Sequence, residues 1–171
     1  MLQLPTQEEY PSYFREYVES VPEGSLLGIL EKQLEETVSL LSGLTEEKAN
    51  FAYVPGKWTL KEVIGHVTDT ERIMSYRLLR IARGDLTPLP GFDEDRYVEG
   101  AAFTSRSIMD LTQEFKAVRQ STIALISGLE AETWTRFGVA SEQNVSARAI
   151  AYIIAGHERH HVKIIKDRYL L

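Results

Sequence analysis

The sequence predicts an all-α protein: a four-helix bundle with a short leading helix and one long connection between its second and third long helices. Three observations carry this. Apolar residues recur at three- and four-residue steps in four separate stretches. Thr6 with Glu9 and Thr59 with Glu62 have capping-box spacing. No stretch alternates apolar and polar residues as a half-buried strand does, and no internal repeat is evident. At 171 residues, 43% hydrophobic and 26% charged, the chain is large enough to form one domain over 1–171 with a real core.

The leading helix is expected from Thr6 to about Ser20, interrupted early by Pro11. The first long helix carries Leu26, Leu27, Leu30, Leu34, Val38 and Leu41 on one stripe and ends near Gly43. After the turn chemistry of Val54-Pro55-Gly56, Thr59 opens a second helix that runs to about Gly84, roughly 38 Å at ~1.5 Å per residue. A third helix starts near Ser105, carries Ile108, Leu111, Phe115, Val118, Thr122 and Leu125, and stops by Gly128. The fourth opens near Ser146 and continues through Ile150, Ile153, Ile154, Ile164 and Ile165. Two long connections remain, 85–104 and 129–145, of a length that in a compact domain is functional or spans the bundle.

Composition removes several classes of function. Nineteen Lys and Arg against 25 Asp and Glu give a net charge of -6, which repels a phosphate backbone and argues against nucleic acid as partner. No apolar run approaches the ~20 residues of a membrane span, and Met1-Leu2-Gln3-Leu4-Pro5 lacks the pattern of a secretory signal, so a cytoplasmic location is expected. Cysteine is absent, which excludes thiolate ligands and a cysteine nucleophile.

The four histidines fall in two helical stretches: His66 in the second long helix, and His157, His160 and His161 in the fourth. Imidazoles four residues apart share a helix face, close enough to hold one ion at ~2.0–2.1 Å from each nitrogen. On a helical wheel at about 100° per residue, His157 and His161 lie inside the stripe of Ile150, Ile153, Ile154 and Ile164, whereas His160 lies at its rim. Two inward histidines need a ligand or core hydrogen-bond partners, and both readings are open. His66 sits at the edge of the stripe Leu60, Val63, Val67, Met74, Leu78 and Ile81, near Glu62, Asp69, Thr70 and Arg77. That polar strip is either solvated surface or one wall of a pocket.

Topology links the three. His66 is about seven residues from the start of its helix, and His161 about seven from the end of the fourth. Antiparallel helices bring them level; parallel helices separate His66 from the pair by roughly 9 Å at ~1.5 Å per residue. The first case requires helices two and three to run parallel, joined by a crossing segment. Residues 85–104, at most ~66–70 Å when extended, can span a ~38 Å bundle.

Trp58-Thr59 leading into a helix, His66-x-x-Asp69-x-Glu71 followed by Arg77, and a C-terminal His157-x-x-x-His161 resemble the DinB-like, or YfiT-type, metalloenzymes over nearly the whole chain. The resemblance implies an up-down-down-up bundle that holds one divalent metal, zinc or nickel, on His66, His157 and His161. It also implies a small-molecule substrate, a homodimer, and either hydrolysis or transfer of a low-molecular-weight thiol to an electrophile. His160 and the region of Tyr97 lie outside the motif.

Three neutral imidazoles leave a bound ion its full charge and an open position, the arrangement of a catalytic site. Such an ion activates water or ionises a coordinated thiol, and a chain without cysteine must take its thiol from a cosubstrate. Asp69 is the candidate catalytic proton acceptor or ligand-orienting partner, with surface solvation as the alternative. Arg77 either binds an anionic substrate or forms an ion pair. Glu62 reads as a cap, Glu158 as a solvent-facing residue, and Asp93 and Asp95 as turn residues near an open metal face. Three readings therefore remain: thiol transferase, hydrolase, and noncatalytic metal- or ligand-binding bundle.

Overall fold

The computed structural model describes residues 2–170. The expected capping boxes and the four long helices are present. Thr6 and Glu9 form the first box, but it closes only a 3-10 turn, Gln7–Glu9. Tyr10 is forced extended before Pro11, as the residue preceding a proline prefers. A second turn, Ser12–Phe14, follows, and then helix α1, Arg15–Ser20. The leading helix is thus shorter than expected.

Helix α2, Leu26–Ser42, is capped by Ser25, and a single turn, α3, Glu46–Ala49, by Thr45. Helix α4, Leu60–Ala82, begins with the second capping box: the Thr59 N–H donates to Glu62 Oε2 at 2.7 Å, and the Glu62 N–H donates to Thr59 Oγ1. The 85–104 segment is not plain loop. It contains α5, Glu94–Ala101, capped by Asp93. Helix α6, Ile108–Ser127, is capped by Ser107, and α7, Ala147–Ile164, by Ser146, ending in a π-helical turn, Ile165–Tyr169.

The expectation of no strand is corrected by an antiparallel hairpin, β1 Phe137–Ala140 and β2 Gln143–Ser146. Its turn residues, Ser141 and Glu142, both have positive φ, 50° and 63°. Such a turn usually displays Asn or Gly, so four-residue strands joined by Ser-Glu leave no local signal. Leu89 bonds both ways to this hairpin, through Val139 O and the Ser141 N–H, and so ties the 85–104 segment to it.

Apolar burial divides into two clusters. One gathers Leu30, Leu78, Ile81, Ile126, Ile150 and Ile154; the other gathers Leu41, Leu60, Ile64, Leu111 and Ile165. On each of the four long helices buried polar residues fall between these clusters in sequence: Gln33 and Thr37 on α2, His66, Thr68, Thr70 and Glu71 on α4, Thr112, Arg119 and Thr122 on α6, and His157 and Glu158 on α7. Lys61 and Arg77 on α4 are buried outside that layer. A polar layer therefore crosses the middle of the bundle.

Contacts fix how the helices are staggered. Lys61 reaches Thr104 O and Arg72 reaches Glu114; Gln33 donates to Ala155 O and Thr37 to Glu158. In the opposite sense, His66 meets His157 and Tyr169 donates to Trp58 O. Among the described residues no helix is long and apolar enough to cross a membrane.

Candidate metal centre

Two glycines prepare the site. A Cβ on Gly65 would stand 2.5 Å from the Phe103 ring, and one on Gly156 would stand 2.0 Å from the Tyr17 carbonyl oxygen. Each precedes a histidine, so these close approaches set the depth of His66 and His157 in the bundle. His66 and His157 are buried and His161 is half-buried.

The three rings converge. His66 Nε2 lies 3.1 Å from His157 Nε2, and one ligand atom from each of His66, His157 and His161 falls within 4.8 Å of the others. Ring centroids are 5.0 Å apart for His66–His157, 4.9 Å for His66–His161 and 4.5 Å for His157–His161. Two nitrogens bound to one ion at ~2.0–2.1 Å in tetrahedral geometry are about 3.4 Å apart, so the observed spacing suits a shared ion. The rings are oriented by aromatic packing: Trp58 at 4.9 Å from His66 and Tyr17 edge-on at 5.5 Å from His157.

Burial first, and in the pair on α7 the neighbouring imidazoles, hold all three neutral. His66 is lowered to about 4, His161 to about 3, and His157 well below its ordinary value. Neutral imidazole is the ligating form. His160 is outside the group, at the rim as the helical wheel predicted, with its ring 5.1 Å from that of His161.

Behind the histidines lies a second polar group that sequence reasoning missed. Arg119 is fully buried and forks onto Glu71, with Nε to Oε1 at 2.8 Å and Nη2 to Oε2 at 2.7 Å. Its Nη1 donates to Glu158 Oε2 at 2.6 Å, and Thr37 donates to Glu158 Oε1 at 2.6 Å. The expectation of a solvated Glu158 is therefore corrected: it is 1% exposed, because helix α2 covers its face of α7. Burial raises the Glu158 carboxyl against the opposing pull of Arg119. The signal in the sequence was a charge on an apolar stripe: Glu71 stands between Val67 and Met74, and Arg119 between Phe115 and Thr122.

A cavity of about 370 Å³ opens on the histidines, walled by Tyr13, Phe14, Tyr17, Trp58 and Phe92. Arg77 lines it; Asp69 does not. The Asp69 carboxylate is taken by Arg72 at 3.1 Å, in a network that continues to Glu114 and Arg106. Asp93 holds the α5 N-terminus, and Glu62 is the cap expected of it.

The DinB superfamily model matches residues 29–165. Among solved structures the chain is similar to YfiT from Bacillus subtilis, described as a probable metal-dependent hydrolase with an unusual four-helix bundle topology. The TM-score is 0.75 at 16% identity, covering 86% of this chain and 90% of that one. It is also similar to the mycothiol-dependent maleylpyruvate isomerase, with TM-score 0.68 at 13% identity, covering 84% of this chain but only 61% of that one. At these identities the likeness is one of fold. Comparison with curated proteins by sequence finds no match. With the family model matched over most of its length, the chain belongs to the DinB superfamily.

Proposed function

We propose that the protein is a divalent-metal-dependent enzyme whose His66, His157 and His161 hold one ion, zinc or nickel, for the activation of an external nucleophile. The observation that carries this reading is the convergence of three neutral imidazoles with no carboxylate or cysteine among them. When bound, such an ion supplies Lewis acidity toward a coordinated thiol or water. The chain's own residues do the rest. Trp58 and Tyr17 hold the rings, and the aromatic walls line the approach to the histidines.

A low-molecular-weight thiol is slightly preferred as the nucleophile because one structural neighbour is described as mycothiol-dependent. The residues by themselves fit thiol and water, and a chain without cysteine takes any thiol from outside. Hydrolysis is the second reading, favoured by the description of YfiT. The bundle order belongs to the same proposal. Contacts that advance together from Lys61–Thr104 to Arg72–Glu114, and opposed contacts between α4 and α7, support an up-down-down-up arrangement with α4 and α6 parallel. The test incubates metal-loaded protein with an electrophile, with and without small thiols. Conjugate formation that requires both thiol and His161 is expected; thiol-independent cleavage points to hydrolysis, and no turnover across a broad panel contradicts both.

A further inference from the structure

The two buried arginines of this protein differ in one respect. Arg119 has two carboxylate partners, whereas Arg77, 4% exposed, has none. Its Nη2 donates to Pro90 O at 2.7 Å and Ser141 Oγ at 3.0 Å, and its Nη1 lies 3.8 Å from Met74 Sδ. Its Nε–H makes no hydrogen bond among the described residues and is not fully buried, so it is open to solvent. Glu94, at the cavity rim, forms no ion pair with it. A buried guanidinium is costly without a counter-charge, and neutral oxygens compensate it only in part. Burial accordingly pulls its pKa down, with only the Tyr13 hydroxyl acting electrostatically in the opposite direction.

A second observation points into the same space. Three buried threonines on helices donate back to the carbonyl four residues earlier: Thr68 to Ile64, Thr112 to Ile108 and Thr122 to Val118. Thr70, 6% exposed, does not, and its Oγ1 has no partner at all. His66, Thr70, Met74 and Arg77 follow one another at steps of three and four on α4, so they form one stripe along the cavity floor. The histidines stand at one end of that stripe and Arg77 at the other, separated by about 16 Å of helix rise. Phe92 caps the Arg77 end, its ring centroid 5.9 Å from the guanidinium carbon.

We infer that the cavity takes an elongated carboxylate ligand, whose anionic end pairs with Arg77 and whose other end lies at the histidines. Ser141 contributes to the anion pocket. Its Oγ accepts from Arg77, which leaves its O–H free to donate, and it is held there by the left-handed turn of the hairpin. Thr70 meets a polar atom midway, and Met74 with Ile153 carries the apolar middle of the ligand. The inference rests on the proposed function for which end reacts, but not for the binding of the carboxylate. The carboxylate belongs either to the electrophile or to the thiol.

The probes are 4-phenylbutanoate and its neutral amide, titrated into metal-free and metal-loaded protein by calorimetry. The carboxylate is expected to bind about 10-fold tighter than the amide or better, in both forms. The preference should vanish in Arg77→Met and survive in part in Arg77→Lys. It should also survive in His161→Ala, which separates this inference from the metal reading. Because Arg77 also pins Pro90 and Ser141, the Met variant is judged only if its circular dichroism matches the wild type. The wild-type comparison needs no variant. Equal binding of acid and amide overturns the inference, and so does a preference seen only with metal, which would place the carboxylate on the ion. Turnover with 10-mercaptodecanoate against 10-mercaptodecanol, and with acidic against neutral electrophiles of similar length, then identifies the source. The partner whose carboxylate matters is the one whose kcat/KM falls in Arg77→Lys.

Discussion

Two polar groups share the middle layer of this bundle, and they are completed in opposite ways. In the Arg119 group every charge is answered: Glu71 accepts two bonds, Glu158 a third, and Thr37 closes the last carboxylate oxygen. In the histidine group, a few residues away on the same helices, nitrogen faces nitrogen at 3.1 Å with no proton acceptor of opposite charge. A closed network of buried ions specifies how helices sit against one another. An open cluster of lone pairs invites a cation.

The sharpest way to break the comparison is to remove the centre of the closed group. Arg119→Met strands two buried carboxylates, and we expect a loss of about 3–5 kcal/mol in denaturant unfolding. His161→Ala in metal-free protein strands no charge and should cost far less.

Metal binding supplies the next effect. An ion held by the folded protein alone should stabilise it by about 2.7 kcal/mol at a free concentration 100 times its Kd. Thermal unfolding should show this for the wild type, and His66→Ala should abolish it.

Acid acts differently on the two halves of the layer. His66 and His161 are lowered in the folded protein to about 4 and about 3, so the unfolded chain takes up protons first as pH falls below about 6.5. Their contribution is complete above that value and is lost progressively toward pH 3. Each of these histidines should cost metal-free protein roughly 1 kcal/mol per pH unit near pH 5, and the slope should shrink by about that much in His66→Ala.

A smaller effect belongs to the periphery. Burial alone would raise Glu9, but hydrogen bonds from Arg148, Thr6 and Ser146 bring it down to about 2. Its contribution is present above about pH 4.5 and fades as pH falls toward 2. Glu9→Gln should cost about 1–2 kcal/mol at pH 7 and remove that part of the acid sensitivity.

How much of this was legible in the sequence follows from which forces are local. The four helices, their caps and the inward pair His157 and His161 rest on periodicity and capping, which any ten-residue window displays. Glu71, Arg119 and Glu158 were not readable in the same way. Glu71 and Arg119 interrupt apolar stripes, which marks them as inward but names no partner, and Glu158 looks like a charge that belongs in water. Only the packing of α2, α4, α6 and α7 makes the three one satisfied group. The hairpin failed to show for a different reason, since Ser141 and Glu142 adopt positive φ under tertiary constraint rather than by intrinsic preference. Arg77 was left between ion pair and anion site, and its hydrogen-bond partners are neutral oxygens and a sulfur, with no carboxylate bonded to it among the described residues.

The most direct test of the central claim is elemental analysis of protein purified without an affinity tag and loaded with zinc or nickel, for the wild type and the four single His→Ala variants. One ion per chain is expected in the wild type and in His160→Ala, with sharp loss in His66→Ala, His157→Ala and His161→Ala. No bound ion in the wild type, or equal loss in all four variants, would contradict the assignment.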